Sequence, residues 1–229
     1  MTLIRAKRSF IKRIKISDQK LRLIVKCFCV DCTALQSSKI VGVNRKTVDR
    51  YFNFLRKIVI SSAVLERKES KISNGIEVDE SYFGAKRVRG KRGRGAGRKI
   101  IVLGLLKRQG KVFTSIIPNA KRESLMPIIR RVVRSGADIY TDGWSSYDAL
   151  VVYGYNHKKV KHDENEFARP DGTHINGVES YWSWMKRRLN KFNGIPRDQS
   201  AAHMLESEWR FNHRVTLADD LKKLLRLQS

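Results

Sequence analysis

The feature that most constrains this chain is one stretch, Thr173 to Leu189, reading T-H-I-N-G-V-E-S-Y-W-S-W-M-K-R-R-L. Val178, Trp182, Met185 and Leu189 recur at helical spacing and form one apolar stripe that has to lie on a core. Glu179 and Lys186 stand seven residues apart. That is two turns, so they point the same way, and Asn176 and Ser183 share their edge. A helix packed by one face and presenting a carboxylate and an ammonium suits a metal-bound acid beside a charged substrate such as DNA. The same letters also fit a structural device, with Asn176 as N-cap and Glu179 at the third helical position. Both readings stand on this stretch alone, and the rest of the chain has to decide.

Charge narrows the partner. Lys and Arg number 48 against 22 Asp and Glu, a net charge of +26. An imbalance of that size points to a polyanion, and double-stranded DNA is the partner expected. A membrane is the rival, but the longest strongly apolar run, Ile100 to Leu106, is far too short to span one. The basic N-terminus is not followed by an apolar secretory segment, so the chain is expected in the cytoplasm. The three cysteines form one C-x-C-x-x-C cluster, Cys27, Cys29 and Cys32. A structural zinc site needs four ligands, usually as two separated pairs, and no fourth Cys or suitably spaced His is nearby. They read as small buried apolar residues.

Residues 1–17 make a basic arm, with Arg5, Lys7, Arg8, Lys12, Arg13 and Lys15 ahead of the first acid. Residues 18–58 read as three helices, the first capped by Ser17-Asp18 and the second by Thr33. Gly42 allows a tight turn, and Asn44 caps the third. The third helix buries Val48, Tyr51 or Phe52, and Leu55, and its first turn exposes Arg45, Lys46, Asp49 and Arg50. Helix, glycine turn and basic helix together form a helix-turn-helix, whose second helix reads the major groove. Residues 59–75, mixed in charge and ending in Ser73-Asn74-Gly75, read as a linker.

A strand follows at Ile76 to Phe83, with Ile76, Val78 and Tyr82 on one face and Glu77, Asp79, Ser81 and Phe83 on the other. Aspartate is depleted in strands, so Asp79 asks for a reason: an exposed edge or a metal. Lys86 to Lys99 holds eight Lys or Arg, four Gly and no acid. It reads as a DNA-touching hairpin loop carrying Arg87, Arg89, Lys91, Arg92 and Arg94. Two strands at 100–106 and 112–117 join through Gln109-Gly110. An amphipathic helix runs from about Arg122 to Ser135, stopped by Gly136. A strand at Ala137 to Thr141 then leads into Asp142-Gly143. Asp142 is either a plain turn residue or a carboxylate at the end of a buried strand. Residues 160–173 read as a polar loop, and two helices close the chain, Asp198 to about His213 and Leu217 to Leu227.

Three strands, a helix, a fourth strand and further helices is the order of an α/β fold of the RNase H-like kind, here preceded by a small all-α unit. On that order Asp79, Asp142 and the acid on the late helix converge. Acids so placed suit Mg²⁺ or Mn²⁺, two ions in phosphoryl-transfer sites of this sort. The chain also resembles bacterial insertion-sequence transposases of the DDE superfamily. The resemblance lies in V-D-E-S-Y-F-G from Val78, Y-T-D-G-W-S-S-Y from Tyr140, H-I-N-G-V-E-S-Y-W from His174, and K-F-N-G-I from Lys191. It implies an RNase H-like catalytic domain over 76–215, with residues 216–229 as a C-terminal helix. It also implies Asp79, Asp142 and Glu179 as metal ligands, Lys186 and Arg187 as DNA contacts, and a homo-oligomer on DNA. Some relatives use asparagine as third ligand, which keeps Asn176 in the candidate set. The function expected is binding of terminal inverted repeats with metal-dependent strand cleavage and strand transfer. Two alternatives stay open: a metal-dependent nuclease or resolvase with the same acids, and a non-enzymatic helix-turn-helix protein.

Overall fold

The computed structural model describes residues 16–69, 71–73, 75–84, 87–88, 91–92, 99–160 and 174–227. Nearly all of the basic arm, Arg89 and Arg94, and the 161–173 part of the polar loop lie outside the described residues. The chain divides into two units. One takes in residues up to Leu65 together with the chain from Leu205 onward, and the other spans Glu66–Met204.

The first unit begins with α1 (Asp18–Cys29), whose N-cap Ser17 accepts from the Lys20 N–H through its hydroxyl. Helix α2 (Ala34–Val41) opens with a capping box between Thr33 and Gln36. It closes on Gly42 at φ 65°, a left-handed position that glycine takes without strain. Asn44 Oδ1 accepts from the Lys46 N–H at 2.8 Å and starts α3 (Arg45–Glu69). These three starts agree with the sequence expectations. Two features differ. Residues 59–69, expected as linker, continue α3 without a break, because Ile58, Val59 and Ala63 carry the buried stripe onward. The end of the chain also belongs to this unit. Trp209 of α7 (Ser200–Asn212) and Leu221 and Leu225 of α8 (Leu217–Leu227) are buried in one cluster with Phe28, Val48 and Leu55. The Trp209 indole donates to the Ser62 hydroxyl at 3.3 Å. Buried Glu206 bridges Arg56 at 2.7 Å and Arg210 at 2.9 Å. The expected boundaries at 75/76 and 215/216 therefore do not match where the units divide.

The second unit is a five-stranded sheet in the order β3-β2-β1-β4-β5. Strand β1 (Ile76–Phe83) pairs antiparallel with β2 (Ile100–Lys107) over its whole length, and β2 pairs antiparallel with β3 (Val112–Ile117). On the other side β4 (Asp138–Asp142) runs parallel to β1, and β5 (Asn156–Val160) runs parallel to β4. Three antiparallel strands followed by two parallel ones make this an RNase H-like sheet. Helix α4 (Arg122–Val132) connects β3 to β4 and buries Leu125, Met126 and Ile129 on one face, against Val78, Leu105 and Ile139. It ends at Val132, and Gly136 instead serves the turn into β4, at φ 77°. The short α5 (Ala149–Val152) links β4 to β5. On the opposite face lies α6 (Asn176–Asn190), which buries Val178, Tyr181, Trp182, Met185 and Leu189.

Strand β5 was not expected. Its sequence, N-H-K-K-V, exposes three of its five residues. It forms the sheet's outer edge, where lysines blunt further pairing, so it lacks the apolar alternation of an inner strand. Of the basic hairpin, Arg87–Val88 and Lys91–Arg92 pair antiparallel.

Candidate active site at the sheet and the late helix

Asp79 lies in the middle of β1, opposite Gly104 of β2. That glycine is required by what sits above it. A Cβ at position 104 would come within 2.4 Å of Trp182 Cζ2, so only a bare backbone leaves room for the indole. The indole Nε1–H donates to Asp79 Oδ2 at 3.1 Å, and its ring packs edge-on against Phe83 at 5.9 Å between centroids. Trp182 therefore serves the apolar stripe and also fixes the carboxylate. One turn before it on α6 is Glu179, and one turn after it is Lys186, with its ammonium 5.9 Å from the Phe83 ring centroid.

Asp142 ends β4. Counting two residues on from the parallel pair Glu77↔Tyr140 brings Asp79 and Asp142 to matching positions on neighbouring strands. The Trp144 backbone N–H donates to Asp142 Oδ1 at 3.3 Å, so the expected Asp-Gly turn is present as well. The electrostatics tie the three acids together. The Asp79 carboxyl is pushed up to about 6, first by burial and then by the charges of Asp142 and Glu179. Glu80 is pushed up to about 7, again mainly by burial and despite a 2.7 Å hydrogen bond donated by the Tyr147 hydroxyl. The Lys186 ammonium is lowered by burial and favoured by Asp79, so it shares the same field. Among the described residues, no three His, Cys, Asp or Glu side chains stand close enough together to enclose a metal ion. The set nonetheless fits one chemically. Its donors are carboxylate oxygens, the choice of a hard divalent cation, and the charges of Asp142 and Glu179 add to the effect of burial at Asp79.

The start of α6 is held by a residue that sequence reasoning passed over. Glu77 is 1 % exposed, yet its carboxylate is fully engaged. Oε2 accepts from the Val178 backbone N–H at 2.9 Å, and Oε1 accepts from Arg108 Nε at 3.1 Å. Arg108 also donates to the His174 carbonyl at 2.8 Å and lies over the Tyr140 ring at 3.7 Å. His174 Nδ1 is 3.3 Å from Glu77 Oε1, within ion-pair range, but makes no hydrogen bond. A Cβ on Gly177 would meet Glu77 Oε2 and Leu106 Cδ2, each at 2.7 Å. The H-I-N-G run is thus the place where the helix N-terminus presses onto the sheet. Asn176 is the first helical residue, and the N-cap position belongs to Ile175, which makes no side-chain cap bond. The capping-box alternative for Asn176 and Glu179 is overturned, because the carboxylate that reaches into the first turn comes from the strand. The alternation that pairs Glu77 with Asp79 on one face was the available signal.

Glu179, Asn176, Lys186 and Arg187 all lie on the exposed side of α6. In the helical unit Arg45, Lys46 and Arg50 are exposed on the first turn and a half of α3, with Arg45 3.6 Å from Asp49.

Comparison with known proteins adds an independent line. Residues 71–212 match the ISXO2-like transposase domain. An uncharacterised transposase-like protein of Haemophilus influenzae is 41 % identical over 103 residues, covering 45 % of this chain and 82 % of that protein. Among solved structures, the Mos1 transposase paired-end complex with the left transposon end aligns at TM-score 0.32 and 13 % identity, over 95 % of this chain and 81 % of that one. The Mos1 mariner catalytic domain aligns at TM-score 0.32 and 12 % identity, over 76 % and 91 %. Those two structural likenesses are weak, and the fold assignment rests on the sheet order instead. The family match spans β1 through α7 and takes in all three acidic motifs: the chain belongs to the ISXO2-like transposase domain family, the DDE transposases of insertion sequences.

Proposed function

We propose that the chain binds the ends of its own element as double-stranded DNA and cuts and joins strands there, with Asp79, Asp142 and Glu179 as the ligands of divalent cations. The observation that carries this reading is the placement of half-buried Asp79 of β1 beside Asp142 at the matching position on β4 and under the helix that carries Glu179, which reaches it through Trp182. Mg²⁺ or Mn²⁺ bound there, as one ion or a pair, would supply Lewis-acid stabilisation of phosphate charge and a more acidic attacking water or hydroxyl. The protein's own part is positional. Trp182 orients Asp79, and Glu77 anchors the helix that carries Glu179. Lys186 offers an ammonium to a phosphate oxygen from the same helical edge. The field of Glu179 at Asp79 favours it over Asn176 as third ligand, since a neutral amide is a weaker ligand for a hard cation.

End recognition is assigned to the first turn of α3, where Arg45, Lys46 and Arg50 suit a major-groove reader. The basic hairpin, with Arg87, Arg89, Lys91, Arg92 and Arg94, and Arg187 on α6, are assigned to phosphate contacts. Cutting two ends of one element calls for more than one active site, so assembly of several copies on DNA belongs to the proposal. The test is cleavage of duplex carrying the element's terminal sequence by the full chain, with Mg²⁺ and with chelator. A break at the terminus that needs both the metal and the end sequence is expected. Cleavage that survives chelation, or no cleavage of end-bearing duplex with either metal, would overturn it.

A further inference from the structure

The sheet has a second charged feature that the acidic site does not use. A cavity of about 850 Å³ opens at the junction of α4, α5 and the start of β5. Its walls include Lys71, Arg130, Arg131, Ser135, Tyr153 and Tyr155. The Arg130 guanidinium lies 5.0 Å from the Tyr153 ring centroid, and Arg122 approaches the same ring at 5.7 Å. Lys71 Nζ donates to the Arg130 carbonyl at 3.0 Å, which holds its charge at the rim. Among the described residues, none of these four cations has an acidic side chain within ion-pair distance. Arg122 and Arg130 share one ring, and an anion seated beside them would relieve their mutual repulsion.

Position separates this cavity from the acids. Val133 and Ser135 precede β4, and Gly154 and Tyr155 precede β5, so the cavity opens at the entry ends of the two parallel strands. Asp142 stands at the exit end of β4. Five residues of strand put roughly 13 Å between the two ends. Guanidinium groups bind phosphate through paired N–H donors, and a tyrosine ring beside them offers apolar contact to a sugar or base.

We infer that this cavity binds the phosphate backbone of duplex DNA at a place apart from the catalytic carboxylates, giving the catalytic unit a second hold on nucleic acid. The inference rests on the DNA reading above, and its failure is separable from that reading's. The experiment uses the full chain and a duplex of random sequence, with affinity followed across a salt series by fluorescence anisotropy. Glutamine in place of arginine keeps most of the stem's packing and removes the charge. Arg130→Gln with Arg131→Gln is expected to reduce the slope of log affinity against log salt by roughly 2, about one for each lost phosphate contact. Either single variant should reduce it by about 1, which keeps the test valid should the double variant melt early. Lys222→Gln with Lys223→Gln, which lowers net charge equally on α8, should leave the slope unchanged.

Equal slopes in wild type and the Arg130/Arg131 variants would overturn the cavity assignment alone. No duplex binding by the wild type would overturn the DNA reading with it. Stronger competition by poly-glutamate than by duplex, lost in the same variants, would overturn it in favour of an acidic protein partner.

Discussion

Replacing Glu77 should unfasten the helix that carries the third acid. In Glu77→Ala the Val178 N–H loses its 2.9 Å acceptor, and Arg108 loses its 3.1 Å partner. Removing one member of a buried ion pair costs about 3–5 kcal/mol. Arg108 is 25 % exposed, so water recovers part of its loss, and the lower end of that range, ~3 kcal/mol, is expected. Glu77→Gln keeps an oxygen for Val178 while giving up the charge, and should cost about 1–2 kcal/mol. Asn176→Ala serves as the contrast. Asn176 is not the cap of α6, so the change should stay below about 1 kcal/mol, the usual loss for a removed cap. Urea unfolding of the three variants and wild type, at equal m-value, measures these differences. If Glu77→Ala loses less than about 1 kcal/mol and Asn176→Ala loses more, the helix is capped locally and the reasoning fails.

Gly104→Ala would force the Trp182 indole, 2.4 Å from the new Cβ, off Asp79. A stability loss of about 1–3 kcal/mol is expected, with end cleavage slowed and DNA affinity kept, as parallel melts and binding curves would reveal. A pH series on metal-free protein tests the Asp79 environment. Its carboxyl is raised from 3.8 to about 6, so the folded chain binds that proton more tightly than the unfolded one. The associated stability is complete below about pH 4 and is lost as pH rises through about 6, ~3 kcal/mol at most. Asp79→Asn should flatten that part of the profile, and Mg²⁺ at neutral pH should raise the melting temperature of wild type but not of Asp79→Asn. A profile unaltered by the substitution would place the titration elsewhere. A fragment ending at residue 70 lacks Trp209, Leu221 and Leu225, which fill the helical unit's core. At roughly 1.5–3 kcal/mol for each buried side chain, residues 1–70 alone should show neither cooperative unfolding nor end binding. Cooperative melting of that fragment would refute the two-ended construction of the unit.

What could be read in the sequence was whatever declares itself locally. Ser17, Thr33, Gly42 and Asn44 each act on neighbours a few residues away, and the helix starts and stops they mark are where spacing put them. The α6 stripe and the inner strands follow from periodicity, since each buries one continuous face. Asp79 stood out because an acid in a strand conflicts with its surroundings. What stayed hidden depends on partners distant in sequence. Ser61-Ser62 looks like a break in α3 until Trp209 supplies the indole that Ser62 accepts from. Glu77 looks like an outward strand residue until α6 lowers the Val178 N–H onto it. Strand β5 has no apolar alternation, because an edge strand with lysines outward needs none. The part of Trp182 in holding Asp79 was masked by its place in the apolar stripe, where packing alone accounts for it.

We propose that the three carboxylates act as one metal-binding set while recognition lies elsewhere. The most direct test takes Asp79→Asn, Asp142→Asn and Glu179→Gln as full chains and measures binding and Mg²⁺-dependent cleavage of the same end-bearing duplex. End affinity within about threefold of wild type is expected, with cleavage reduced by several powers of ten in each variant, because a lost ligand withdraws several kcal/mol of charge stabilisation. Cleavage by Glu179→Gln within tenfold of wild type, alongside an inactive Asn176→Ala that melts normally, would contradict it and move the third ligand to Asn176.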